Sequence, residues 1–377
     1  MSGIVEQLSN WRRVGECIKD GQLVLSPFDQ PIEEERRSDQ DQIDDDRNFT
    51  GSSYLCESME PEVGSQTHKI DDMSQMPDNL SYFLDGSIRT KYVGEYVEGP
   101  VSFPLVSSEV AVAVIKREGS KLRPFRLLKN IHIIFPHKDT GLISDTTFER
   151  LSDLGRNLQE QGSSTRIDFL VKSALVSELR SSIRAKARAI MHDLEHEVAT
   201  SLETSETEWL VMDGAIRSYE FAGLKNTIGL AKSFSRKPFL ECGGKQLSIP
   251  SYMTKLKQGE RSAIFRITGT SNSILKDVAF WYVRLRTFPP MEPLGGIVKV
   301  DINLSRYRDS GLDMRDDVNR ISSELYSMRF PSVYPWPRWP NYIYPIRVAE
   351  MYMNSSLINP QILNIFGREI RKVMDGV

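Results

Sequence analysis

Cysteine is scarce in this chain. Cys17, Cys56 and Cys242 are the only three, too few and too scattered for a disulfide framework or a thiolate metal cage, and such usage suits a reducing cytoplasm. Long apolar runs are missing as well. No stretch approaches the ~18 residues that a membrane-spanning helix needs, and the opening "MSGIVEQLSNWRRVGECIKDG" has no apolar signal core. Charge of one sign is not in excess: 48 Lys and Arg against 51 Asp and Glu leave a formal net charge of -3. Bulk charge therefore does not advertise a polyanionic partner, and only local patches can do so. No GxxxxGK[ST] loop occurs, so no P-loop ATP hydrolysis is expected of this chain. A cytoplasmic protein without a membrane segment is the expectation these absences leave.

What the chain does have is apolar material, 40% of its 377 residues, enough for one large domain or a core with elaborations. Ile4, Leu8, Trp11 and Val14 fall at helical spacing near the start. Polar, acidic text follows, with Glu33, Glu34, Glu35, Asp39, Asp41, Asp44, Asp45 and Asp46 in one short span. It predicts a solvated arm or linker over residues 1–79 beyond the first helix; an acidic cover for a basic site is the second reading. The core is expected from residue 80 to 377, its ordered part starting at Tyr82 with a short strand, "SYFLDG". Two neighbouring antiparallel strands follow over 107–119 and 130–136. Helices are predicted over 146–162 and 173–202, the second with an apolar stripe of Leu179, Ile183, Ala187, Ile190, Leu194 and Val198. Strands at "EWLVMDG", 226–235, 261–269, 278–288 and 295–304 precede helices over 314–326, 346–355 and 360–374. This succession predicts a mixed α/β domain.

One local pattern occurs twice. "SYFLDGSIRT" (81–90) and "WLVMDGAIRS" (209–218) each run from an apolar strand into Asp-Gly, a small residue, then Ile-Arg. If the two strands are neighbours in one sheet, Asp85 and Asp213 stand side by side. Two carboxylates that close repel one another, and a divalent cation removes the repulsion; oxygen ligands suit Mg²⁺ or Mn²⁺. Asp-Gly is also a common turn dipeptide, and coincident turns are the plain alternative. Arg89 and Arg217, four residues beyond each aspartate, either orient the carboxylates, meet phosphates or are exposed charges.

A third carboxylate is needed for a two-ion site. Glu195, at the margin of the long helix's stripe, is the first candidate, with Glu178 and Glu197 behind it. Lys232, just after a buried strand, suits a scissile phosphate or a nucleophilic water. Lys299 and Asp301 face either the same crevice or solvent. "HDLEH" (192–196) matches an H-x-x-E-H zinc-peptidase pattern, a competing reading that lacks a third ligand. The densest basic stretch, Lys116, Arg117, Lys121, Arg123, Arg126 and Lys129, is a candidate DNA track. Tyr334, Trp336, Trp339 and Tyr342 in the late Pro-aromatic loop are candidates for base stacking or for a protein interface.

In their order along the chain, "YFLDGSIRT", "HDLEHEVATSL", "WLVMDGAIRS", "NTIGLAKSF", "FWYVRLRTF", "VKVDINL" and "YIYPIRVAEMYM" resemble the NurA family of DNA-end-processing nucleases, over about residues 80–355. The resemblance implies an RNase H-like mixed sheet flanked by helices, with the acidic arm and the long insert between the aspartates as additions. It implies a manganese-dependent nuclease, an endonuclease on single strands and a 5′ to 3′ exonuclease, with two Mn²⁺ (or Mg²⁺) ions. It also implies a homodimer docked on a hexameric HerA-type ATPase. Its metal ligands map to Asp85, Glu195 and Asp213, and its lysine to Lys232. Where the family commonly has a histidine, this chain has Glu350, which puts in question whether it is a full enzyme or a weakened scaffold subunit binding DNA and the ATPase. The late-loop aromatics and the N-terminal helix are the expected dimer contacts.

Overall fold

The structure, a computed structural model, describes residues 2–25, 55–60, 66–71, 78–174, 179–216, 221, 223–236, 239–268, 277–287, 293–308, 311–330 and 339–376. The acidic span 30–47, Glu178, Arg217, Tyr334 and Trp336 lie outside the described residues. Helix α1 (Ser2–Cys17) leads into β1 (Gln22–Leu25), followed by β2 (Leu55–Ser58) and β3 (His68–Lys69). Then come β4 (Leu80–Glu98), β5 (Val101–Glu118), β6 (Lys121–Pro136), α2 (Asp145–Glu160), β7 (Thr165–Leu170) and α3 (Leu179–Thr200). Strands β8 (Trp209–Asp213), β9 (Thr227–Ala231), β10 (Phe239–Cys242) and β11 (Lys245–Ser248) precede α4 (Ile249–Met253). The chain continues through β12 (Glu260–Arg261), β13 (Phe265–Thr268), β14 (Val278–Arg284) and β15 (Ile297–Asn303) to α5 (Met314–Ser327), α6 (Tyr344–Ser356) and α7 (Pro360–Met374).

All the described strands join one mixed sheet, with the path β11-β10-β2-β13-β14-β15-β9-β8-β4-β5-β6-β7 and β1, β3 and β12 beside it. Its centre has the RNase H-like order. Strands β4, β5 and β6 form an antiparallel meander, β8 lies parallel to β4, and β9 lies parallel to β8. Two-residue turns close the meander, with Gly99 and Gly119 both at φ +60, a conformation that favours glycine. Helix α3 is the crossover into β8. Its predicted stripe packs with Tyr82, Leu84, Ile88, Val110, Val112 and Val114 on one face of the sheet. Helices α5 and α6 cover the other face against Phe83, Trp209, Val211, Leu230 and Val300. A third cluster joins α1, α2 and α7 through Trp11, Val14, Leu151, Phe366 and Ile370.

Three expectations change. "SYFLDG" is not a short strand: β4 runs for 19 residues, because the polar text after Asp85 alternates and pairs with β5 along its whole length. The stretch before residue 80 is not all solvated arm. Strand β1 pairs with β4 and β2 lies between β13 and β10, while Glu60, within the expected arm, is buried on Arg261. Finally, Trp339 and Tyr342 sit in the core and Trp11 is fully buried beside Phe366. These aromatics are spent inside the chain, so they are not available for base stacking or dimer contacts.

Candidate metal centre

Strand alternation decides what the first Asp-Gly presents. Successive side chains point to opposite faces. Asp85 pairs with Ala113, which packs with Met353 of α6, so Asp85 faces the α6 side. Gly86 pairs with Val112 on the α3 side. In β8, Val211 belongs to the α6-side core and Met212 to the α3 side, which puts Asp213 with Asp85. The parallel register Leu84↔Met212 brings the two aspartates to neighbouring positions, as the repeat predicts. Leu230 on β9 faces the same way, and Lys232 continues that side.

Helix α6 delivers the third carboxylate. Pro345 in its first turn starts it, and Ile346, Ala349 and Met353 bury its inner face. Glu350 lies beside Ala349. Carboxylate oxygens of Asp85, Asp213 and Glu350 all lie within 4.8 Å of one another, and this is the one such group among the described residues. Lys232 Nζ donates to Asp213 Oδ2 at 2.8 Å and to Glu350 Oε1 at 3.3 Å, and lies 3.4 Å from the centroid of the Tyr342 ring. Burial opposes the lysine's charge, but the carboxylates of Asp213, Glu350 and Asp85 outweigh it and raise its pKa above the ordinary lysine value. Tyr342 is itself pushed upward by burial, so its hydroxyl keeps its proton. Asn341 Nδ2 donates to Lys232 O at 3.0 Å, fixing the lysine's backbone. Arg347 Nη1 donates to Glu350 Oε2 at 2.8 Å.

Glu195 does not join this group. It is buried, but on α3, across the sheet. There its carboxylate occupies the place that a side chain on Gly86 would take: an ideal Cβ on Gly86 would lie 2.3 Å from Glu195 Oε1. The glycine of the first Asp-Gly thus opens the α3 face to Glu195 while its aspartate serves the other. Glu197 is exposed. Of the expected ligands Asp85, Glu195 and Asp213, the two aspartates meet in this cluster together with Glu350, while Glu195 approaches the first strand from α3 at Gly86. Sequence reasoning also missed Arg347, Asn341 and the ring of Tyr342; the i, i+3 spacing of Arg347 and Glu350 was the one available signal.

The remaining candidates are drawn into the architecture. Lys299 Nζ lies 2.9 Å from Asp301 Oδ1, while Asp301 Oδ2 accepts from Ile216 N at 3.1 Å and ties down the chain after β8. Arg89 donates to Ile358 O. In the basic stretch, Lys116 pairs with Glu208, Arg117 with Asp78 and Glu324, and Arg126 reaches Ser201. Lys129 reaches Ser356 O and Glu109. At the outer end of the hairpin Arg123 pairs with Glu118, beside exposed Lys121 and Phe125, so the stretch is not a continuous basic track. Within "HDLEH", His192 Nδ1 is 3.0 Å from Glu195 Oε2 and His196 packs edge-on to Phe221; the two histidines share no third ligand among the described residues.

The fold and the centre define an RNase H-like α/β protein with a buried three-carboxylate cluster suited to a divalent cation. No family model matches the chain, and no curated protein matches it. Among solved structures it is similar to the NurA nuclease from Sulfolobus solfataricus at 12% identity and TM-score 0.44, covering 89% of this chain and 95% of that one. It is also similar to an endonuclease V from Bacillus subtilis at 13% identity and TM-score 0.30, covering 89% and 96%. No helix among the described residues is long and apolar enough to cross a membrane.

Proposed function

We propose that the chain is a metal-dependent nuclease that hydrolyses DNA phosphodiester bonds. The observation that carries this reading is the convergence of Asp85, Asp213 and Glu350 around the buried ammonium of Lys232. A donor set made of carboxylates alone, without thiolate or imidazole, fits Mg²⁺ or Mn²⁺ better than zinc. Such an ion supplies a water acidic enough to serve as nucleophile near neutral pH and stabilises charge on the leaving oxygen. The chain's own residues do the rest. Asp85 and Asp213, on neighbouring strands, and Glu350 would hold the ion. Lys232, steadied by Asp213 and Asn341, offers a fixed positive charge to a phosphate oxygen. Glu195 packs against the first strand at Gly86.

The finer parts of the reading rest on the ordered sequence resemblance to NurA proteins: a preference for Mn²⁺, endonuclease action on single strands, 5′ to 3′ exonuclease action at DNA ends, a homodimer, and docking on a hexameric HerA-type ATPase in the cytoplasm. The lack of a P-loop fits a motor on a separate chain. The test is cleavage of linear and single-stranded DNA with Mn²⁺, Mg²⁺, Zn²⁺ or EDTA, alongside D85N and D213N. Cleavage that survives EDTA or both variants sinks the proposal. Zn²⁺-dependent peptide cleavage would transfer it to "HDLEH". A silent parent revived by E350H would make the chain a weakened scaffold subunit. Mass photometry checks assembly: a species near twice 43.0 kDa, and a much larger one with the ATPase, are expected.

A further inference from the structure

We infer that Arg286 and Arg329 form a phosphate clamp for the DNA strand, beside the metal centre and on the same edge of the sheet. The inference deepens the nuclease reading above and rests on it. A polyanion that approaches three carboxylates needs positive charge nearby, and the basic stretch of β5 and β6 is mostly spent on internal partners. The end of β14 has what that stretch lacks. Topology brings it to the centre. Lys232 follows the end of β9, β15 runs antiparallel to β9 and so starts at that edge, and β14 runs antiparallel to β15 and so ends there. Only β15 lies between β9 and β14, about 10 Å of sheet, which is roughly three nucleotides of a strand at about 3.4 Å each. Asn341 ties the two places together. Its amide donates to Lys232 O at 3.0 Å and to Ile297 O at 3.3 Å, and its oxygen accepts from Gly296 N at 2.8 Å. Gly296 O in turn accepts from Arg286 N at 3.4 Å.

Neither guanidinium has a carboxylate partner among the described residues; each is held by one carbonyl and one ring. Arg286 Nη2 donates to Phe330 O, and its Cζ lies 5.3 Å from the centroid of the Trp339 ring. Arg329 Nη1 donates to Tyr326 O, and its Cζ lies 3.9 Å from the centroid of the Tyr326 ring. Gln258 Nε2 holds the hydroxyl of that ring at 3.4 Å. Both arginines are half-buried. Burial and the charge of Arg329 hold the pKa of Arg286 below the ordinary arginine value. Arg284, two residues earlier, adds a third guanidinium, buried on the carbonyls of Met253 and Pro293. Like charges kept this close cost free energy, and an anion between them removes the cost. A guanidinium resting on a ring keeps its planar N–H fork for phosphate oxygens. A carboxylate of another protein would also neutralise the pair, but the edge shared with the metal centre favours the phosphodiester.

The experiment measures binding of a fluorescein-labelled single-stranded oligonucleotide by anisotropy over a range of KCl, in the full chain carrying D85N so that no strand is cut. Each phosphate contact to a single strand contributes about 0.7 to the slope of log affinity against log salt. R286Q/R329Q should therefore lower the slope by about 1.4. R266Q removes an exposed arginine paired with Glu57 and should leave the slope unchanged. Where the double variant fails to fold, R329Q alone should lower the slope by about 0.7. An unchanged slope in the folded variant overturns the inference, as does a parent chain that binds no oligonucleotide. A variant that keeps its DNA affinity but loses its dimer by mass photometry assigns the arginines to a protein contact and overturns it too. Mn²⁺-dependent cleavage is scored separately on the chain without D85N. Cleavage together with an unchanged slope removes the clamp alone, whereas a lowered slope without cleavage keeps the phosphate site and removes the nuclease reading.

Discussion

Two buried acidic sites in this protein behave in opposite ways. Glu60 receives a fork from Arg261, Nη2 to Oε1 at 3.1 Å and Nη1 to Oε2 at 3.0 Å, and Ile264 N donates to it at 2.9 Å. Burial works against its charge, but the guanidinium wins and holds its pKa below the ordinary glutamate value. The fork is fixed in geometry, and His68 at 3.6 Å and Arg315 at 3.9 Å stand behind it, so basic groups outnumber the acid. At the other site, the three carboxylates of Asp85, Asp213 and Glu350 face one another beside two cations, Lys232 and Arg347, so carboxylates outnumber the cations. An acid forked by Arg261 and backed by further base ties β12 to the segment after β2 and is architecture. An unbalanced cluster built on strand ends and a helix retains affinity for another cation. Burial alone does not separate the two; the ratio of charges does.

The largest effect that would test this contrast is at Glu60. R261M leaves Glu60 buried without its forked partner, with only the longer contacts to His68 and Arg315, and should destabilise the fold by about 3–5 kcal/mol in urea denaturation, with DNA cleavage per folded molecule unchanged. A loss under 1 kcal/mol would mean that the pair is dispensable. On the unbalanced side, D213N should leave the fold intact by circular dichroism yet lower metal-dependent cleavage by about 10²–10³-fold. Equal damage to stability and cleavage would make Asp213 architectural as well.

A smaller effect separates Glu195 from both sites. G86A drives a methyl into the Glu195 carboxylate and should cost about 1–3 kcal/mol. Combining it with E195A should recover part of that cost, since two residues in contact do not add. Strict additivity would place Glu195 elsewhere. The smallest effect is in pH. Glu60's folded pKa is lowered, so its stabilising contribution is complete above the ordinary glutamate range and is lost as pH falls through the lowered folded value. The stability gap between the parent and E60Q should therefore be constant near neutrality and shrink below about pH 4. A gap that does not change down to pH 3 would break this account of the pair.

The sequence by itself determined the elements whose signal is local. The stripe from Leu179 to Val198 specified a crossover helix, because 3.6-residue periodicity needs no knowledge of the rest of the chain. The repeat of an apolar strand ending in Asp-Gly paired Asp85 with Asp213, because both strands are central and buried and therefore read as continuous apolar runs. Tertiary structure decided which glutamate completes the cluster. Glu195 and Glu350 both sit beside inward-facing helix residues, and nothing within either helix says which face of the sheet its helix covers. That depends on the crossover of α3 and on the docking of α6 through Ile346, Ala349 and Met353. Tertiary structure also turned Trp339, Tyr342 and most of the basic stretch inward to partners far away in sequence. A charged or aromatic side chain reads as surface or as binding site until its distant counterpart is known, and for Lys129, Arg117 and Glu60 those counterparts lie more than 200 residues away.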